Sequence, residues 1–246
     1  MTDRIYAIGD IHGQRAKLAG AHARIAGDRR RCGDTTAPVV HVGDLVDRGP
    51  DSRGVIAFLA DGTEAGAPWI TLRGNHDQLF EAFLAGPDAP GVAPDRARAW
   101  LQRSMGGRET LASYGVDADG PLADIRAAAR AAIPPGHRAF LAGLRPYHVA
   151  ARCLFVHAGI RPGIALEDQS EDDLYWIRDD FYAETGAFPW LVVHGHTPVE
   201  TVRHFGNRVD IDTGAAWGGP LSAVVIEDGE VSLLDEDGRV PVPPAP

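Results

Sequence analysis

The chain is 246 residues long, with 24 Lys and Arg against 34 Asp and Glu and a formal charge of −10. At 44% apolar and 24% charged residues it falls among globular sequences, with enough chain for one large α/β core. The acidic balance argues against broad electrostatic binding to nucleic acid or an anionic membrane, and no apolar run reaches the roughly 18–20 residues that a bilayer span requires.

The first run, Ile5 to Asp10, enters a strand at once, without the layout of a secretory signal. Gln14 to Ala26 then sets Leu18, Ala21, His22 and Ile25 at helical spacing. Pro38 to Asp44 predicts a second strand, Ser52 to Ala60 a helix through Val55, Ile56 and Leu59, and Trp69 to Asn75 a third strand. Asp77 to Leu84 reads as a helix. Strand and helix alternate, as an α/β layered domain requires. From roughly residue 86 to 136 the chain turns rich in Ala, Arg and Pro, with helical pieces at Asp95 to Ser104 and Leu122 to Ala132, and reads as a helical insert. Strands return at Cys153 to Gly159, Leu191 to His196, Arg208 to Thr213, Ser222 to Glu227 and Val231 to Asp235, the last two joined by a hairpin turn. A single domain over residues 1–240 and a loose Pro-rich tail at 241–246 are expected. Two cysteines, Cys32 and Cys153, cannot build a disulfide framework, so a cytoplasmic setting is expected.

The residues that close the strands carry the chemistry. Asp10, His12, Asp44, Asn75, His157 and His196 all fall at the same edge of successive strands, where α/β sheets place their ligand crevice. Three oxygen and three nitrogen donors are too many for one tetrahedral zinc. Two metals sharing one carboxylate fit: Asp10, His12 and Asp44 on the first, and Asp44, Asn75, His157 and His196 on the second. Such pairs lie about 3.5–4 Å apart. Mixed nitrogen and oxygen ligation suits manganese, iron, zinc or cobalt better than magnesium or calcium.

Gly9-Asp10-Ile11-His12-Gly13, Gly43-Asp44-Leu45-Val46-Asp47-Arg48-Gly49, Gly74-Asn75-His76-Asp77, His157-Ala158-Gly159 and Gly195-His196-Thr197 together resemble the signature of the calcineurin-like metallophosphoesterases. More narrowly they resemble the phosphoprotein phosphatase branch, which includes bacterial and phage serine/threonine phosphatases. The resemblance implies two mixed β-sheets in a sandwich flanked by helices, with two divalent metal ions, manganese first among them. It implies that the six ligands hold those ions with Asp44 as bridge. His76 is then the general acid with Asp47 as its partner, and Arg48 binds phosphate. Tyr175-Trp176-Ile177-Arg178-Asp179-Asp180 resembles the bacterial stretch that carries a second phosphate arginine, here Arg178. The partner implied is a phosphoprotein or phosphopeptide, with neither nucleic acid nor membrane involved.

Within the superfamily the final motif often reads Gly-His-x-His, but Pro198 stands at its last place here, which points to the phosphoprotein phosphatase branch. Two other functions stay open. Symmetrical diadenosine tetraphosphatases share most motifs but replace the aspartate matching Asp47, and a non-catalytic metal-binding scaffold would be expected to lose ligands that are all present. His194 and Arg73 read as supporting residues. Asp210, Asp212 and Thr213 read as part of the fold, and Trp100, Trp176, Trp190 and Trp217 as core.

Overall fold

The computed structural model describes residues 3–86 and 98–245. The apolar runs form two sheets. The first contains β1 (Ile5–Ile8), β2 (Val39–His41), β3 (Trp69–Thr71), β9 (Ala223–Glu227), β10 (Glu230–Leu234) and β11 (Arg239–Pro241). Its order is β11-β10-β9-β1-β2-β3. The second contains β4 (Tyr147–Ala150), β5 (Cys153–Val156), β6 (Leu191–His194), β7 (Arg203–His204) and β8 (Arg208–Asp210), in the order β4-β5-β6-β8-β7. Ile5 and Ala7 of β1 pack with Val40, Phe155, Val193 and Val209 between the sheets. Tyr6 and Ile8, one residue out of phase, enter the cluster beneath the helices. Leu154, Val156 and Val192 turn the other way and meet Leu174, Tyr175 and Phe181. Both sheets are therefore covered on both faces, which is why their strands read as unbroken apolar runs.

Those helices are α1 (Arg15–Cys32), α2 (Ser52–Glu64), α3 (Asn75–Ala85), α4 (Gly107–Ser113), α5 (Leu122–Ala132), α6 (Pro135–Ala142), α7 (Glu171–Trp176) and α8 (Asp179–Ala183). The first six share one buried cluster, through Leu18, Val55, Phe80, Leu111, Ile125 and Leu141. Thus the helical middle packs onto α2 and α3 and extends through α6, beyond the expected end near residue 136. Residues 87–97, with the start of the helix expected at Asp95 to Ser104, lie outside the described residues. α1 also outruns its apolar stripe. Arg29, Arg30 and Arg31 suit the negative end of the helix dipole, and Gly33 stops it in the left-handed conformation, donating to the Arg29 carbonyl.

Two expectations change. Asn75 and His76 do not close the third strand, which ends at Thr71; they open α3 behind Gly74. The Pro-rich end is held rather than loose. Its prolines lack an N–H, but Val242 N–H donates to the Val231 carbonyl at 2.9 Å and Ala245 N–H to that of His204 at 2.8 Å.

β1, β2 and β3 run parallel, as do β5, β6 and β8. The carboxyl ends of both sets meet at one edge, where His157 Nδ1 lies 3.0 Å from the Val42 carbonyl of the opposite sheet.

Candidate active site

The loops leaving these strands are tightly bent. Among the described residues eight non-glycine residues have positive φ, and five of them sit here: His12, Asp44, Asp47, Arg48 and His196, between 44° and 74°. Side chains in that left-handed region are uncommon, and their clustering marks a functional loop set. Two motif glycines are needed for close approach instead. A Cβ on Gly74 would lie 2.2 Å from Asp44 Oδ1, and one on Gly195 1.9 Å from Asp10 Oδ1.

The structure brings five of the six expected donors, His12, Asp44, Asn75, His157 and His196, into contact. Asp10 enters neither cation group and accepts from His196 N–H through Oδ2 at 2.9 Å, His76 standing in its place beside His12 and Asp44. His12 Nδ1 lies 2.8 Å from the Val46 carbonyl and His157 Nδ1 3.0 Å from that of Val42. A carbonyl only accepts, so both rings are protonated on Nδ1 and aim the bare lone pair of Nε2 into the site. His12 Nε2 approaches Asp44 Oδ2 at 3.4 Å, while His157 Nε2 approaches Asp44 Oδ1 at 3.3 Å. Asn75 Oδ1 lies 2.9 Å from both His157 Nε2 and His196 Nδ1. His12, Asp44 and His76 form one group able to hold a cation, and Asp44, His157 and His196 a second. One carboxylate thus serves two groups.

Electrostatics agree with a cation in each group. Burial drives the pKa of His12, His157 and His196 below the ordinary imidazole value, leaving them as neutral donors. Burial opposes ionisation of Asp44 too, and only positive charge at the positions of His157, His76, His12 and His196 holds its carboxyl below the usual range, a charge that neutral rings leave to a cation. Asp10 is pushed well above that range by burial and by the charges of Asp212 and Asp44. Its Oδ1 is buried without a partner, as is His196 Nε2, whereas buried polar atoms are almost always bonded. The bare Nε2 lone pairs of His12 and His157 converge on the two oxygens of Asp44 with no donor between them, which is what metal ions satisfy, so the donor set fits two ions.

Beside this cluster His76 Nδ1 bonds Asp47 Oδ2 at 2.7 Å. Asp47 is buried and held from the helical middle: Trp100 Nε1 donates to its Oδ2 at 2.7 Å and Thr110 Oγ1 to its Oδ1 at 2.7 Å. Burial raises its pKa, against the opposing bonds from His76, Thr110 and Trp100. Arg48 spans the site, donating through Nη1 to His12 Nε2 at 2.6 Å and through Nη2 to His76 Nε2 at 2.8 Å. Arg178 lies beside His196, with Nη1 on Thr197 Oγ1 at 2.7 Å and Nη2 on the His196 carbonyl at 3.3 Å. Asp180 pairs with Arg161 instead.

The supporting residues divide. Arg73 pairs with Glu81 at 2.9 Å, as a charge-network residue does. His194 is buried, with Nδ1 on the Gly195 carbonyl at 3.0 Å and its Nε2 without a partner. Trp100 is core, yet its N–H orients Asp47. Trp217 is not core at all but 66% exposed. Sequence reasoning gave no role to Asp77, whose two oxygens accept from Leu45 N–H at 3.0 Å and Gly74 N–H at 2.9 Å and so tie two metal-site loops together. Its place three residues beyond Gly74, at the start of α3, was the available signal. Thr110 had none. Asp212, beside Asp10, has its pKa pushed up to about 6, chiefly by burial.

A fold of two mixed sheets with this cluster at their common edge defines a metallophosphoesterase. The sequence profile of the calcineurin-like phosphoesterases matches residues 3–220, and the chain belongs to that family of hydrolases. It is 28% identical over 237 residues to serine/threonine-protein phosphatase 1 of Salmonella typhimurium, covering 91% of this chain and 92% of that one. It is also 29% identical over 197 residues to the asymmetrical bis(5'-nucleosyl)-tetraphosphatase PrpE of Bacillus subtilis, covering 75% and 73%. The cold-active protein-tyrosine phosphatase of a psychrophilic Shewanella shares the fold, with a TM-score of 0.62 at 16% identity over 99% of this chain and 81% of that one. Among the described residues no helix is long and apolar enough to cross a membrane.

Proposed function

We propose that this protein is a two-metal phosphoprotein phosphatase of the cytoplasm, hydrolysing phosphoserine, phosphothreonine and phosphotyrosine monoesters. The observation that carries the reading is Asp44, whose Oδ2 faces His12 and whose Oδ1 faces His157, so that one carboxylate belongs to both ligand groups. Asp10, His12 and Asp44 would hold one ion, and Asp44, Asn75, His157 and His196 the other, manganese being the expected metal. Two cations held there would acidify a water molecule and offset the charge of the phosphoryl oxygens.

The protein's own groups complete the chemistry. Arg48 stands on His12 and His76 and Arg178 beside His196, and their planar forks suit the non-bridging oxygens of a phosphoryl group. Stabilising those oxygens is the larger part of catalysis in phosphoryl transfer. Once Arg48 turns to the phosphate, His76 Nε2 is free to carry the proton that the departing alkoxide takes. Asp47, fixed by Trp100 and Thr110, holds the His76 ring and stabilises its charged form. Neither cysteine lies among these groups: Cys153 packs between the sheets, and Cys32 lies 3.7 Å from Asp28.

The tetraphosphatase relatives favour a second reading, hydrolysis of a dinucleoside polyphosphate. Initial rates of the manganese-loaded enzyme on a phosphothreonine peptide and on diadenosine tetraphosphate separate the two. Faster turnover of the peptide is expected. Faster cleavage of the dinucleotide would replace this reading, and no rate on either substrate with any divalent metal would return the protein to a binding role.

A further inference from the structure

Tryptophan is a residue that proteins cover, because its ring removes a large apolar area from water. Trp217 is 66% exposed, and among the described residues no other Phe, Tyr or Trp is classed as exposed. It is nevertheless held in place. A short 3-10 turn, Ala215–Trp217, carries it between Gly214 and Gly218, both left-handed. Lys17 Nζ clamps that turn from α1, donating to the carbonyls of Ala215 at 2.9 Å and Gly219 at 2.7 Å. Gly219 N–H closes the turn on the Gly214 carbonyl at 3.0 Å. The backbone is fixed while the ring faces solvent.

The ring stands at the rim of the site. The Arg48 guanidinium carbon is 5.0 Å from its centroid, and the two terminal nitrogens of that guanidinium reach His12 and His76. Whatever is esterified to a phosphate held by Arg48, with its ester oxygen toward His76, starts within a few ångströms of the indole. A seryl or threonyl ester places only aliphatic carbon there. A nucleotide places its ribose there and its base one sugar further out. A phenolic ester places a flat ring at that distance, attached to the ester oxygen itself.

We propose that Trp217 is the wall against which the leaving-group ring of an aryl phosphate stacks, so that the site binds phosphotyrosine in preference to phosphothreonine. This rests on the phosphatase reading above and names the substrate class of the same site. Trp217 is a specificity residue: it touches the leaving group and moves no proton. Offset stacking of two rings corresponds to a two- to tenfold effect on binding, roughly.

The test compares wild type, Trp217→Ala and Trp217→Phe, each loaded with manganese, on two peptides that differ only in phosphotyrosine or phosphothreonine. In the alanine variant the ratio of KM for phosphotyrosine to KM for phosphothreonine should rise about fivefold, and the phenylalanine variant should restore it. Calorimetric titration with phenylphosphonate and methylphosphonate reads the same contact without turnover. Only phenylphosphonate affinity should fall in Trp217→Ala. Equal losses for both phosphonates would mean that the ring merely braces Arg48, and that overturns the proposal. So would unchanged ratios, or a loss confined to adenosine 5'-monophosphate, which would assign the ring to a nucleobase. If wild type cleaves neither peptide, the phosphatase reading fails separately, and the two phosphonates still decide the stacking.

Discussion

His76 is oriented by Asp47, and Asp47 by Trp100 and Thr110, so the position of one proton depends on an indole N–H in the helical middle. Trp100 also stacks on Phe80, with ring centroids 5.2 Å apart, and packs on Phe83. Trp100→Phe keeps an aromatic ring there and deletes the donor. Its kcat on a phosphothreonine peptide should fall about tenfold, the scale of lost outer-shell bonds, with KM and melting temperature little changed. An unchanged kcat would show that Asp47 needs no such support. The pairing of His76 with Asp47 was expected from the resemblance, but its support was not legible in advance: the bonds from Trp100 and Thr110 span 53 and 63 residues of sequence, and no local pattern reports a contact so distant. The six candidate ligands were legible because each sits in a short motif on the loop that leaves a strand, even where, as with Asn75, a helix has already begun.

At the scale of elements, β11 is fastened to α1 and β9 by one arginine. Arg239 donates to both oxygens of Asp28 at 2.8 Å and to Glu227 at 2.6 Å, while Tyr6 Oη donates to Asp28 at 2.9 Å. Arg4 pairs with Glu227 from the other side. Burial pushes the pKa of Asp28 up, but the bonds from Arg239 and Tyr6 outweigh it and hold the carboxyl below its ordinary value. Glu227 is held low by Arg4 and Arg239. A carboxylate depressed in the folded state stabilises fully above its unfolded pKa, near 4, and loses that contribution as pH falls through the folded value. Arg239→Gln should therefore cost about 2 kcal/mol at pH 7, less than for a fully buried pair because Arg239 is 29% exposed. Urea denaturation should show the gap from wild type constant between pH 5 and pH 7 and narrowing below about pH 4. A gap that persists unchanged at pH 3 would contradict the assignment. The Pro-rich composition after Arg239 concealed this fastening, since prolines at an edge strand look the same as prolines in a free tail.

For the whole molecule, two sheets each bring three parallel strands to one edge, and neither builds the site alone. Asp10, Asp44 and Asn75 follow strands of the first sheet, while His157 and His196 follow strands of the second. Sheet packing and ligand geometry are thus one event, and bound metal stabilises the folded protein by mass action. Strand existence and fold class could be read from the sequence, whereas the meeting of the two sheets could not, because Val and Ile runs do not say which sheet they face. The central claim is that Asp44 belongs to two cations at once. A crystal structure with manganese, located by anomalous scattering in wild type and in Asp44→Asn, tests it most directly. Two ions in wild type, each within bonding distance of Asp44, and reduced occupancy of both in the variant are predicted. A single ion, or a variant that keeps both ions at full occupancy, would contradict it.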